Sequence, residues 1–267
     1  MTADMHVQTQ SSPDAEIPAD ELCTMGQAVG VETIGFVAHV DLHPEDHCYM
    51  SFSEEEYMRE LDIADSSEIQ VLRGLEIGEP HLYMRQAEQL FTRSRYDFIT
   101  GALHWVEGRL VLNGKAFQEG SAVDLVEEYY RNTLAIVQNT DISILAHMGI
   151  FRRGMARAEL STGIDEVSLF PALLRKILQT MINRGIALEV NTAGLRRPEK
   201  TTYPTAAVLR LYSSLGGKRI TVGSDTHRKQ NSFFGLRSGI SLVSSCGLGS
   251  YGVFKAYEYV HAPLLLN

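Results

Sequence analysis

The chain has 267 residues, 44% of them hydrophobic and 21% charged, enough for one large α/β domain or two small ones. No run approaches the ~18 apolar residues of a membrane span, the first ten residues lack the basic start and apolar stretch of a secretory signal, and the balanced composition excludes extensive disorder. With 33 acidic against 24 basic side chains, the formal net charge of −9 argues against general binding to nucleic-acid backbones, and the isolated Cys23, Cys48 and Cys246 are expected as buried thiols in a reducing cytoplasm, not as a disulfide frame or thiolate zinc site.

The first strand is expected at residues 3–7 and the second at 34–38, followed by an acidic stretch over residues 41–62 that reads as a solvated loop and helix. Strands at 69–75 and 98–103 come next. Ser121 and Asp124 form a capping-box-like start to a helix whose apolar face carries Val126, Tyr129, Tyr130, Thr133, Leu134 and Val137. After a strand at 142–146, a helix over 169–184 tolerates Pro171 in its first turn and stops at Gly185. A strand at 186–190, a helix from Pro204 to the Gly216-Gly217 pair, and a strand at 219–223 complete the series.

The strands are short and apolar at consecutive positions, as strands covered on both faces should be, and a strand–helix rhythm demands parallel pairing. No repeat or linker divides the sequence, so residues 1–267 are read as one domain. The fold expected is a distorted (β/α)7 barrel, with an open doubly wound sheet as the alternative; no glycine-rich dinucleotide fingerprint supports the latter.

Chemistry-bearing side chains gather where the strands end. Asp4, His6 and Gln8 lie on or just after the first strand, His39 closes the second, Glu76 the third, His104 the fourth and His147 the fifth. Asn191 follows the sixth, and Asp225 with His227 the last. In a barrel these ends share one face. One histidine after a strand is usually a hydrogen-bonded loop residue; five at separate strand ends, with a glutamate at a sixth, suit a divalent cation such as zinc, manganese or iron. His43, His47, His81 and His261 fall outside the pattern and are read as surface or supporting groups.

The stretches Asp4-Met5-His6-Val7-Gln8, Gly74-Leu75-Glu76, Gly101-Ala102-Leu103-His104, Leu145-Ala146-His147 and Gly223-Ser224-Asp225-Thr226-His227 together resemble the polymerase-and-histidinol-phosphatase (PHP) superfamily. Asn191-Thr192-Ala193-Gly194-Leu195-Arg196-Arg197-Pro198 resembles its histidinol-phosphatase branch. The resemblance implies a barrel with two to three metal ions. His6, Gln8, Glu76 and Asp225 would surround the first; Glu76 would bridge to a second held by His104 and His147; Asp14, His39 and His227 would hold a third. Glu76, Asp225 and His227 would carry the chemistry, and Arg197, with Arg196, Arg153 and Arg152, would meet a small phosphorylated substrate, L-histidinol phosphate foremost. Another phosphate ester or nucleotide, or a non-catalytic metal-binding barrel, are the alternatives. The sequence departs from the family pattern at Gln8 and Asp14, where the family has histidines, and at Ala38 and Gly149, where it has aspartates.

Overall fold

The structure is a computed structural model that describes residues 2–65, 67–90 and 95–263. In chain order its strands are β1 (Ala3–Val7), β2 (Thr33–Asp41), β3 (Gln70–Gly78), β4 (Phe98–Ala102), the short β5 (Trp105–Val106) and β6 (Arg109–Leu110), β7 (Ile144–Leu145), β8 (Ala187–Asn191), β9 (Ile220–Gly223), β10 (Ser250–Lys255) and β11 (Glu258–Pro263). Seven of them form one parallel sheet in the order β1-β2-β3-β4-β7-β8-β9. The sheet curls until its edges meet: Val7 bridges Thr226, the Gln8 amide donates to the Thr226 carbonyl at 2.9 Å, and the Asp225 amide donates to the His6 carbonyl at 3.0 Å. This is the expected distorted (β/α)7 barrel.

The sequence rhythm placed the strands, but β2 and β3 run past their expected ends. Apolar signal fades after residue 38 and residue 75 because side chains alternate across a strand and the inward positions have turned polar: His39 and Asp41 on β2, Glu76 on β3. His39 and Glu76 therefore stand inside strands held by ladder hydrogen bonds, with His39 opposite Glu76 in the register.

The crossover helices are amphipathic and capped as read. Ser121 accepts from the Asp124 amide at 3.2 Å to open the helix Ala122–Asn139, whose buried Leu125, Val126, Tyr129, Tyr130, Thr133, Ile136 and Val137 recur every three to four residues. The helix Pro171–Arg184 carries Pro171 in its first turn and ends on left-handed Gly185 (φ 72°). Between strands lie further helices at Ala19–Ala28, Glu54–Ala64, Ala206–Ser214 and Leu236–Ser245.

The strand N-termini are closed by the antiparallel β10–β11 hairpin, which the sequence reading did not place. Its turn is tied to the start of β4, with the Ala256 amide on Asp97 Oδ1 (2.9 Å) and the Tyr257 amide on the Asp97 carbonyl (2.7 Å). The Tyr259 hydroxyl donates to the Ile220 carbonyl (2.8 Å) and accepts from its amide (3.0 Å) at the start of β9. The ligand-type side chains gather at the opposite mouth. Among the described residues no helix is long and apolar enough to cross a membrane.

Candidate active site

At the strand C-termini, residues as far apart as Asp14 and His227 converge on a small cavity of about 90 Å³. Its hub is Glu76, buried on β3. His6 Nε2 lies 3.0 Å from Glu76 Oε2 and His147 Nε2 2.8 Å from Oε1, while His39 Nδ1 and His104 Nε2 each stand 3.6 Å from the same carboxylate. Burial alone would raise this acid, yet the His6 and His39 charges hold it well below the ordinary glutamate range. The imidazoles respond in kind. Burial pulls His6 down, but Glu189 and Glu76 hold it well above the usual value; His39 is raised likewise by Glu76 and Asp41. His104, against burial, is raised to about 9 by Asp41 and Glu76. His147 is lowered, chiefly by burial.

Each ligand-type side chain is braced from behind. Glu189, on β8, accepts from His6 Nδ1 at 2.7 Å through Oε1 and from the His147 amide at 2.6 Å through Oε2. Asp41 Oδ1 stands 3.1 Å from His104 Nδ1. Glu79 receives the His104 amide (2.6 Å) and the Trp105 amide (3.0 Å), which fixes the turn after β4. Gly223 is required at its place, because a Cβ there would stand 2.4 Å from Glu189 Oε1 and 2.5 Å from His6 Cβ. His147 (φ 26°) and Asp225 (φ 57°) adopt left-handed backbone, a strain of about 1–3 kcal/mol that tends to collect at functional sites.

The departures from the family pattern acquire physical meanings. The His39 amide donates to Ser12 Oγ (3.0 Å), Ser12 Oγ donates to Gln8 Oε1 (2.6 Å), and Gln8 Nε2 donates to Glu76 Oε2 (2.7 Å). An obligate donor at one end and a carboxylate at the other set the direction of this chain, so Gln8 turns its amide nitrogen, not its oxygen, toward the hub. Ala38 alternates away from the cavity and is buried outside it. At Gly149 the backbone is left-handed (φ +97°) and a Cβ would meet Arg152 Nη1 at 2.9 Å, so an aspartate does not fit there.

Nearer the rim, Asp14 Oδ2 lies 3.3 Å from His227 Nε2 and 3.8 Å from His39 Nε2. Those two imidazole Nε2 atoms face each other at 3.4 Å. Asp225 stands between hub and rim, with Oδ1 3.8 Å from His6 Nε2 and 3.3 Å from His227 Nδ1. Although buried, it is held far below the usual carboxylate range by His227, His6 and Arg153. This donor set fits divalent cations. Opposed imidazole nitrogens need a cation or proton between them, Asp41 Oδ2 stands 3.0 Å from His39 Nδ1 without hydrogen-bond geometry, and Asp14 Oδ1 and His147 Nδ1 are buried with no hydrogen-bond partner among the described residues. Nitrogen and oxygen donors of this kind suit zinc, manganese or iron.

The four arginines separate. Arg153 lines the cavity and reaches Asp225 Oδ2 at 3.2 Å. Arg196 donates to the Ser224 (2.7 Å) and Asp225 (2.8 Å) carbonyls, holding the turn that presents Asp225. Burial and the neighbouring Arg153 charge push Arg197 below the ordinary guanidinium value, and its buried Nε has no partner among the described residues. Arg152 differs from the expectation of a substrate contact. It is buried in an ion pair with Glu166 and donates to the Thr162 (3.2 Å) and Ile164 (3.0 Å) carbonyls, so its charge is already compensated inside the protein.

A family model for the PHP domain matches residues 4–193, well over half of the chain. The chain belongs to the PHP domain family. Among PHP relatives, a histidinol-phosphatase of Lactococcus lactis is 25% identical over 260 residues, covering 96% of this chain and 95% of its own. A Clostridium acetobutylicum protein described as a "probable histidinol-phosphatase" is 24% identical over 249 residues, 93% of this chain and 95% of its own. In fold, the chain matches the crystal structure of histidinol phosphate phosphatase from Lactococcus lactis, complexed with zinc, L-histidinol and phosphate, at a TM-score of 0.84 and 22% identity, covering 97% of this chain and 98% of that one.

The sequence reading missed Glu189, Asp41, Asp46 and His47, and the last three line the cavity. Glu189 did leave a signal: it is the lone charge in the strand Ala187–Asn191. Of the remaining histidines, His43 stacks on Trp105 (4.2 Å between centroids, 3° between planes), His81 Nε2 lies 2.9 Å from Asn132 Oδ1, and His261 Nδ1 lies 2.9 Å from Ser250 Oγ.

Proposed function

We propose that this chain is a metal-dependent phosphomonoesterase that hydrolyses L-histidinol phosphate to L-histidinol and phosphate. The observation that carries the reading is the buried Glu76 carboxylate, ringed by four imidazoles and set beside the arginine-flanked Asp225. Relatives named for this activity that span nearly the whole chain support the substrate.

In this reading His6, Glu76 and Asp225 hold one cation, Glu76, His104 and His147 a second, and Asp14, His39 and His227 a third. The ions are two to three of zinc, manganese or iron. Gln8 serves as a hydrogen-bond donor that fixes one Glu76 oxygen, a role that the Ser12 relay imposes. Bound divalent cations supply Lewis acidity toward the phosphoryl oxygens and toward water, which so slow a hydrolysis requires.

The protein's own groups do the rest. Arg153 and Arg197 orient the phosphoryl oxygens, while Arg196 keeps the Asp225 turn in place. Asp225, held ionised, accepts a hydrogen bond from the attacking water and so orients it, while solvent water relays the proton that this water loses to the departing alcohol oxygen; His227, 3.3 Å away, steadies that carboxylate. Arg152 takes no part.

The test strips the protein with a chelator, reloads it with zinc, manganese or iron, and measures phosphate release from L-histidinol phosphate. Activity is expected to vanish and return. Turnover of other phosphomonoesters with none of this one would replace the substrate and keep the chemistry. Bound cations with no phosphate release from any ester would reduce the chain to a metal-binding barrel.

A further inference from the structure

The geometry points to a second type of cation site on the rim of the cavity, in which Asp14, His47 and Cys48 bind a soft divalent cation of the zinc class. It shares Asp14 with the imidazole–carboxylate centre but draws its other two ligands from outside it, and it does not rest on the phosphatase reading. One potential ligand atom from each of the three residues falls within 4.8 Å of the other two. His47 Nε2 and Cys48 Sγ are 3.3 Å apart. Ordinary zinc–sulfur and zinc–nitrogen bonds at a tetrahedral angle put two such ligands about 3.6 Å apart, so the pair already has the spacing of ligands on one ion.

The pair is aimed by a residue behind it. Asp46 Oδ1 accepts from the Cys48 amide (2.9 Å), and its Oδ2 accepts from the Trp105 indole (2.8 Å), which fixes the carboxylate. Oδ1 then stands 3.3 Å from His47 Nδ1, leaving Nε2 turned toward the sulfur. A carboxylate behind one ring nitrogen is the usual device for orienting the other toward a metal. The third ligand also has capacity to spare. Asp14 Oδ1 is buried with no hydrogen-bond partner among the described residues, while Oδ2 serves His227 and His39. Asp14 thus joins this site to the inner centre.

Binding releases the Cys48 thiol proton to solvent and leaves a thiolate on the ion, with no change of oxidation state. A thiolate ligand selects zinc, cobalt or cadmium over manganese or magnesium. None of the inner ligands contains sulfur, so the site has a signature of its own.

Chelator-stripped, full-length protein should be titrated with cobalt(II) and followed in the near-ultraviolet for sulfur-to-cobalt charge transfer. The band is expected in the unaltered protein and in Cys23→Ser and Cys246→Ser. It should be lost in Cys48→Ser and at least halved in His47→Ala, with bound cobalt falling by one ion per chain in each. His47 has a largely exposed side chain, 66% accessible, so its replacement leaves the fold intact and keeps the test informative should Cys48→Ser fold poorly. Cobalt saturation with no such band, or a band that persists in Cys48→Ser, would overturn the site and reduce the His47–Cys48 contact to a thiol hydrogen bond; neither result would touch phosphate release.

Discussion

The hub around Glu76 and the rim around Asp14 use the same residue types to different ends. At the hub, Glu76 and His6 are nearly inaccessible, each 1% exposed, and contacts of 2.7–3.0 Å from Glu189, Gln8 and His147 hold the groups before any ion arrives. At the rim, Asp14 is 31% and His227 23% exposed, and their closest approach is 3.3 Å. The contrast teaches that the protein alone organises one half of the centre, whereas the other half is more exposed and more loosely held.

The largest expected effect tests the hub. Glu76→Ala should lower phosphate release at least about a thousandfold. It should also leave buried imidazoles without their counter-charge, at a cost of about 3–5 kcal/mol in denaturant unfolding of the metal-free protein. Asp14→Ala should do neither to that degree; equal losses from the two would erase the distinction. Next, Glu189→Gln keeps the shape but removes the charge behind His6, and should weaken metal binding about 10–100-fold in competition with a chromophoric chelator. Unchanged affinity would mean that the bracing does not matter to the ion.

The pH dependence sharpens the same contrast. His104 is raised from 6.5 to about 9, and His6 and His39 also lie above the ordinary range. A raised folded-state value means the protonated imidazoles stabilise the metal-free protein fully below pH 6.5, and that this contribution is lost as pH rises through about 9. Cations need the same imidazoles neutral, so metal binding should tighten over that window. Calorimetric melts with and without zinc should diverge with rising pH; convergence would contradict the shifts. The smallest effect lies at the other mouth, where Tyr259→Phe removes the two hydrogen bonds to Ile220 and should cost about 1–2 kcal/mol with metal content unchanged.

Much of this was legible in the sequence. Alternating strands and helices gave the barrel, and polar residues where apolar runs stop gave the hub. The same rule blurred the strand ends, since a polar inward residue such as His39 looks like the start of a loop until the ladder is seen. Glu189 was hidden because its strand reads as apolar, and Asp46 and His47 because charged stretches are usually solvated faces. Arg152 and Arg153 are neighbours with identical chemistry; only the packing of Glu166 against the first separates a structural charge from one facing the cavity.

The seam between Val7 and Thr226 also bears on how the protein is made. His6 leaves the ribosome well before its companion Asp225, which lies far along the chain from it. An ion coordinated by both could not template the growing polypeptide before Asp225 is made, so its acquisition would have to follow synthesis of the last barrel strand.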